Sequence, residues 1–230
     1  MPGSEPELNG WWRAGLAIVG PALRLLFRIR SAGLERITRS GPAILAANHV
    51  SALDGILLAY LVARQRGRPI RYLVAVEFFD RRFHGVWLRT FKQIPIRRGT
   101  GDSGALDEAV ATVQAGAIAG IFPEGMVNPR PNGPPLRGRT GVARIALAAG
   151  APVIPVGIWG TQVRWPRTGL TFRRPLRPSV ALTFGPPIEP KGDPSSLDDI
   201  QALTTLVMTR IAEQVAAARN LAEGPGPTPA

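Results

Sequence analysis

Short apolar runs at residues 43–47, 72–76, 93–96, 117–122, 153–158 and 180–184 alternate with stretches that carry helical patterning at 52–64, 102–115, 139–149 and 196–220. Strands and helices in alternation are the signature of a sheet with crossover helices. The expected fold class is therefore α/β, a mixed and largely parallel sheet flanked by helices. In open sheets of this kind ligands gather beyond the carboxyl ends of the strands. The polar residues that directly follow each apolar run are thus the ones to inspect.

At 230 residues, 45% of them hydrophobic, the chain can build one well-buried domain with short appendages, and a second full domain is not expected. The expected organisation is an N-terminal segment at 1–30, an α/β domain at 31–222 and a disordered tail at 223–230. Residues 11–30 read WWRAGLAIVGPALRLLFRIR, and the longest stretch free of charge, 14–23, would be about 15 Å as a helix against a hydrocarbon core of about 30 Å. That is too short to span. Arg13, Ala17, Gly20, Arg24 and Arg28 fall on one helical stripe, with Trp11, Trp12, Leu16, Val19, Leu23, Leu26 and Phe27 supplying the rest. The pattern suits an amphipathic membrane-associating helix, or two short ones broken at Gly20-Pro21, lying among lipid headgroups. A helix packed on the domain is the plainer reading of the same residues.

The formal charge of +12 comes almost entirely from arginine, the only lysines being Lys92 and Lys191. Such a surface favours phosphate-bearing partners without saying which. No base-stacking aromatic platform or recognition-helix motif accompanies it, so nucleic acid is not an expected partner. With no cysteine, and two histidines 35 residues apart, disulfides, thiol nucleophiles and a zinc site are not expected.

Three strand ends carry candidate chemistry. After the first run comes Asn48-His49-Val50-Ser51-Ala52-Leu53-Asp54. A carboxylate there, accepting the Nδ1 proton, would leave Nε2 free to take a proton from an alcohol. Ser51-x-x-Asp54 is also a capping box, which would tie Asp54 to the helix start instead. After the run at 93–96 comes Arg97-Arg98-Gly99, two guanidiniums beside a glycine turn, which suits either a phosphate clamp or a solvated surface pair. After the run at 117–122 comes Pro123-Glu124-Gly125, a carboxylate on a turn, followed by a loop at 123–137 rich in Pro, Gly and Asn.

Gly99-x-Gly101-x-x-Gly104, with Glu124 twenty residues on, matches the dinucleotide fingerprint. A nicotinamide-dependent oxidoreductase is therefore a competing class, although the fingerprint explains neither His49 nor the N-terminal helix. A non-catalytic basic lipid-binding module is another.

Taken in order, these segments resemble the glycerolipid acyltransferase family, and most closely the bacterial 1-acylglycerol-3-phosphate acyltransferases. His49 with Asp54 matches the His-x4-Asp block. Lys92 to Arg98 matches the second block, with Lys92 where glycine is usual, and Phe122-Pro123-Glu124-Gly125 matches the third, which continues here as Met126-Val127 instead of Thr-Arg. Ala151 to Val156 matches the fourth, with Arg139-x-Gly141 upstream. The resemblance implies that His49, oriented by Asp54, deprotonates the free hydroxyl of a lysophospholipid, which attacks the thioester of acyl-CoA or acyl carrier protein. It implies Arg98 on acceptor phosphate, with Arg97 beside it and Arg139, Arg130 or Arg137 compensating for Val127. It implies Glu124 and Gly125 at the acceptor pocket, no cofactor beyond the acyl donor, no metal, membrane lipids as partners, and residence on the cytoplasmic face of the cell membrane.

Overall fold

The computed structural model describes residues 8–97, 103–172 and 175–224. Helix α1 (Gly10–Leu26) leads into strand β1 (Arg28–Ala32). There follow β2 (Ala43–Ala47), α2 (Asp54–Arg66), β3 (Ile70–Ala75), α3 (Arg82–Thr90), β4 (Ile94–Ile96), α4 (Ser103–Gln114), β5 (Ile118–Ile121), α5 (Gly141–Ala149), β6 (Val153–Trp159), β7 (Ser179–Phe184) and α6 (Leu197–Glu223). The strands form one sheet in the order β1-β7-β6-β2-β5-β3-β4. All neighbouring pairs are parallel except β6 with β7.

Alternation along the strands divides the core. Ala43, Leu45 and Ala47 of β2 face the layer of α1 and α2, with Leu57, Leu58 and Leu61. Ile44 and Ala46 face the other layer, with Val142 and Ile145 of α5 and Val207 and Ile211 of α6. Burial on both faces is why β2 and β6 read as continuous apolar runs. Gly157 lets α6 approach β6 closely, since a Cβ there would fall 2.1 Å from the backbone carbonyl carbon of Gln214.

The N-terminal segment forms a single helix rather than two. Asn9 caps it, its side chain accepting from the Trp12 N–H at 3.0 Å, and Pro21 is accommodated because it and Ala17, whose carbonyl it leaves unbonded, both lie on the exposed side where solvent can satisfy that group. Leu23 and Phe27 are buried against the domain, and Gly20 passes so close to the Tyr60 ring that a Cβ would meet it at 2.8 Å. The helix ends at Leu26 with Phe27 extended. Arg28 therefore lies on β1, paired with Ser179, and does not continue the arginine stripe of the helix. The outward face instead carries Trp11, Ile18 and Leu25, exposed at 66%, 74% and 74%. No helix among the described residues is long and apolar enough to cross a membrane.

Candidate active site

The site lies where β2 runs out. Asn48 makes this strand end rigid: its amide donates to the Ile158 carbonyl at 3.0 Å and accepts from the Ile158 N–H at 2.7 Å. His49 follows. Its N–H donates to Glu124 Oε1 at 2.8 Å, and its carbonyl accepts from the Asn128 N–H at 2.7 Å. The backbone around the imidazole is thus pinned from β6 and from the 123–137 loop.

His49 Nδ1 lies 3.0 Å from Asp54 Oδ2. The same oxygen accepts from the Val50 N–H at 2.7 Å and the Ser51 N–H at 2.8 Å, and Oδ1 accepts from the Thr161 hydroxyl at 2.6 Å. Asp54 is the first residue of α2, so the helix N-terminus adds its partial positive charge. The carboxylate is fully buried, whereas the His49 side chain is 19% exposed. Four hydrogen bonds and a helix end thus converge on the buried carboxylate. In the tautomer that donates from Nδ1 to Asp54, Nε2 is the acceptor of the ring. The two readings of the sequence coexist: Asp54 holds His49, and through Ser51 N–H it also closes the start of the helix. Ser51 Oγ completes that cap by accepting from Leu53 N–H at 3.1 Å.

The Phe122 ring stacks on the imidazole with centroids 4.2 Å apart and planes 20° apart, limiting ring rotation. Tyr72 stacks behind Phe122 and donates its hydroxyl to the Gly55 carbonyl at 2.9 Å.

Glu124 is buried, with both oxygens engaged by backbone: Oε1 with His49 N–H, and Oε2 with Leu136 N–H at 2.8 Å. Burial pushes its carboxyl above the usual carboxylate range; the N–H groups of Leu136 and His49 and the His49 ring oppose this, and the Asp54 charge adds to it. Gly125 has φ +70°, and a Cβ there would fall 2.6 Å from Arg139 Nε, so the Arg139 side chain runs across the turn. The Arg139 N–H donates to the Pro123 carbonyl at 2.8 Å.

His49, Asp54, Glu124, Gly125 and Arg139 are thus assembled in one place. Arg97 is exposed at the end of β4, three strands from β2 and so about 14 Å across the sheet. Arg98 lies outside the described residues, as do Gly99 and Gly101 of the dinucleotide-like segment and residues 225–230 of the tail. The Glu124 carboxylate, committed to two backbone N–H groups, is not presented as a ribose-binding acid. Thr161 and the stacking of Phe122 escaped the sequence reading. Thr161 follows β6 at its carboxyl end, so the strand-end rule that found His49 would have found it.

This arrangement is an imidazole held by a carboxylate at the carboxyl end of a strand in an α/β sheet, and the acyltransferase family model matches residues 28–159. That is more than half of the 230 residues, and the chain belongs to the acyltransferase family, on the glycerolipid side of it. The 1-acyl-sn-glycerophosphate (LPA) acyltransferase PlsC from Thermotoga maritima has a similar structure, with TM-score 0.69 and 26% identity over 89% of this chain and 79% of that one. Uncharacterized proteins of Mycobacterium tuberculosis and Mycobacterium leprae are 28% and 27% identical over 215 and 213 residues, in each case 85% of this chain. These alignments take in 54% and 53% of those proteins, so the chain spans about half the length of the curated relatives it matches.

Proposed function

We propose that the chain transfers a fatty acyl group from acyl-CoA or acyl carrier protein to the free hydroxyl of a lysophospholipid, with 1-acylglycerol-3-phosphate as acceptor and phosphatidic acid as product. His49 Nε2 takes the hydroxyl proton as the oxygen attacks the thioester carbonyl. The tetrahedral intermediate collapses, the C–S bond breaks, and the departing sulfur receives that proton from the imidazolium. No covalent enzyme intermediate forms. Asp54 stabilises the imidazolium while it exists and holds the ring in the useful tautomer.

The observation that carries this reading is the buried Asp54 carboxylate on Nδ1 of a His49 side chain that is itself 19% exposed. The likeness to the Thermotoga PlsC, an LPA acyltransferase, supports the acceptor. Glu124 acts by fixing the His49 and Leu136 backbones around the acceptor pocket. Arg139, drawn across Gly125, takes the place of the arginine that Val127 lacks, and binds acceptor phosphate together with Arg97 and Arg98. Another lysolipid acceptor is the second reading, favoured by Val127 itself.

The exposed apolar stripe of α1, together with Phe83, Val86 and Trp87 exposed on α3, supports peripheral contact with the cytoplasmic face of the membrane. Purified protein supplied with acyl-CoA and a panel of lysolipids with and without phosphate tests the reaction. Release of free CoA that requires a phosphate-bearing lysolipid is the expected result. A panel that yields no thiol from acyl-CoA or from acyl carrier protein overturns the proposal.

A further inference from the structure

On the outer edge of the sheet, away from His49, five arginines line one open cavity of about 450 Å³: Arg24 of α1, Arg28 and Arg30 of β1, Arg64 of α2, and Arg177 just before β7. They come from four separate segments, so this is no solvated face of a single helix. No acidic side chain lines the cavity among the described residues. The Arg30 guanidinium donates to the Leu221 carbonyl of α6 at 2.8 Å, outside the cavity lining, which leaves Arg24, Arg28, Arg64 and Arg177 to serve it; Arg177 also donates to the Phe27 carbonyl at 3.3 Å, and an arginine has five N–H donors to offer. Like charges drawn together without a counter-charge repel, and an anion relieves that cost.

The cavity is also built for more than a passing ion. Its volume falls in the range of small-molecule sites. Phe27 and Tyr60, both buried, form an apolar floor that excludes water and strengthens contacts between charges above it. Arg24 is followed by the exposed Leu25, and Arg177 is preceded by the exposed Leu176. Cations that seat a phosphate, each beside an outward leucine, match the boundary between headgroup and acyl chain.

We propose that this cavity is a second phosphate site, which seats the headgroup of an anionic phospholipid and fixes the orientation of the protein on the membrane. Arg64 stands ten residues along α2 from Asp54, about 15 Å, so the cavity is separate from the catalytic centre. The inference rests on the membrane-surface part of the reading above and not on the chemistry at His49.

The full chain is tested by sedimentation with phosphatidylcholine vesicles, with and without phosphatidic acid, and by calorimetric titration with inorganic pyrophosphate. The variant R64Q/R177Q lies outside α1, and R28Q/R64Q serves as a second pair that leaves the Arg177 contact to Phe27 intact; circular dichroism verifies folding. The expected result is sedimentation that depends on phosphatidic acid, a requirement for about tenfold more acidic lipid in either variant, and behaviour of H49A like that of the wild type. Equal sedimentation of wild type and both variants overturns the cavity while leaving the membrane reading standing. A wild type that sediments with neither vesicle overturns both. Saturable pyrophosphate binding that the variants lose, without any change on vesicles, overturns the lipid headgroup as occupant in favour of a free phosphate ester.

Discussion

The Thr161 hydroxyl donates to Asp54 Oδ1 at 2.6 Å, the oxygen that His49 does not use. Both side chains are fully buried, and they lie 107 positions apart in the sequence, joined because β2 and β6 are neighbours. Thr161→Val removes the donor with little change in shape. Turnover should fall by roughly tenfold with KM little changed, since about 1.4 kcal/mol of orientation corresponds to that factor. Thr161→Ser should restore most of the rate. Equal rates for Val and wild type would show that three donors suffice to hold Asp54.

His49→Ala should lower the rate of acyl transfer by about 10²- to 10⁴-fold, the usual worth of a general base. Its side chain is partly exposed, so the circular dichroism spectrum should not change. Single-turnover release of thiol from the acyl donor measures this directly.

Asp54→Asn tests both of the jobs that Asp54 performs. An amide cannot accept on both sides, so one group of N–H or O–H donors faces an NH₂. Unfolding in urea should show a loss of about 1–3 kcal/mol or more, alongside a rate loss resembling that of His49→Ala. A loss of stability with the rate preserved would leave Asp54 as a helix cap alone.

Glu124→Gln should destabilise the protein by about 1–3 kcal/mol at low pH, because the amide leaves His49 N–H or Leu136 N–H without an acceptor. The sign with pH follows from burial. The Glu124 carboxyl is raised above its ordinary value in the folded state, so the folded protein holds this proton more tightly than the unfolded chain does. Wild-type stability therefore falls as pH rises from about 4 through the raised value. Glutamine carries no such dependence, and the deficit of the variant should narrow over that range. Denaturation of both proteins across this pH series checks it, and a constant difference would contradict the shift.

Gly125→Ala should cost about 1–2 kcal/mol from backbone strain at φ +70°, plus whatever displacement of Arg139 adds. Introducing Arg139→Ala as well should remove the second part. A double-mutant cycle on Tm and on KM for the phosphate-bearing acceptor separates the two.

The α/β class and most elements were legible because buried strands are short, unbroken and apolar; β2 and the start of β6 fall where the runs at 43–47 and 153–158 place them. Strand β1 was not legible. Its sequence, Arg-Ile-Arg-Ser-Ala, pairs only at the sheet edge and leaves both arginines exposed, so alternation merged with the helical arginine stripe before it. Helix α3 was missed because its nine residues, which bury only Gly85 and Leu88, carry aromatic residues and arginines on the surface. In the site, His49 and Asp54 were legible because their spacing is local. Thr161 was findable as a strand-end residue, but its contact with Asp54 spans 107 positions and depends on strand order, which composition and spacing do not encode.

One carboxylate, that of Glu124, grips both the amide of His49 and the amide of Leu136 at the far end of the proline-rich loop. Any movement of this loop is therefore felt at the imidazole as a change of aim. Under the proposed reaction, acceptor choice and catalytic alignment would be geared together, so a substitution that widens one would have to be answered by another that resets the other.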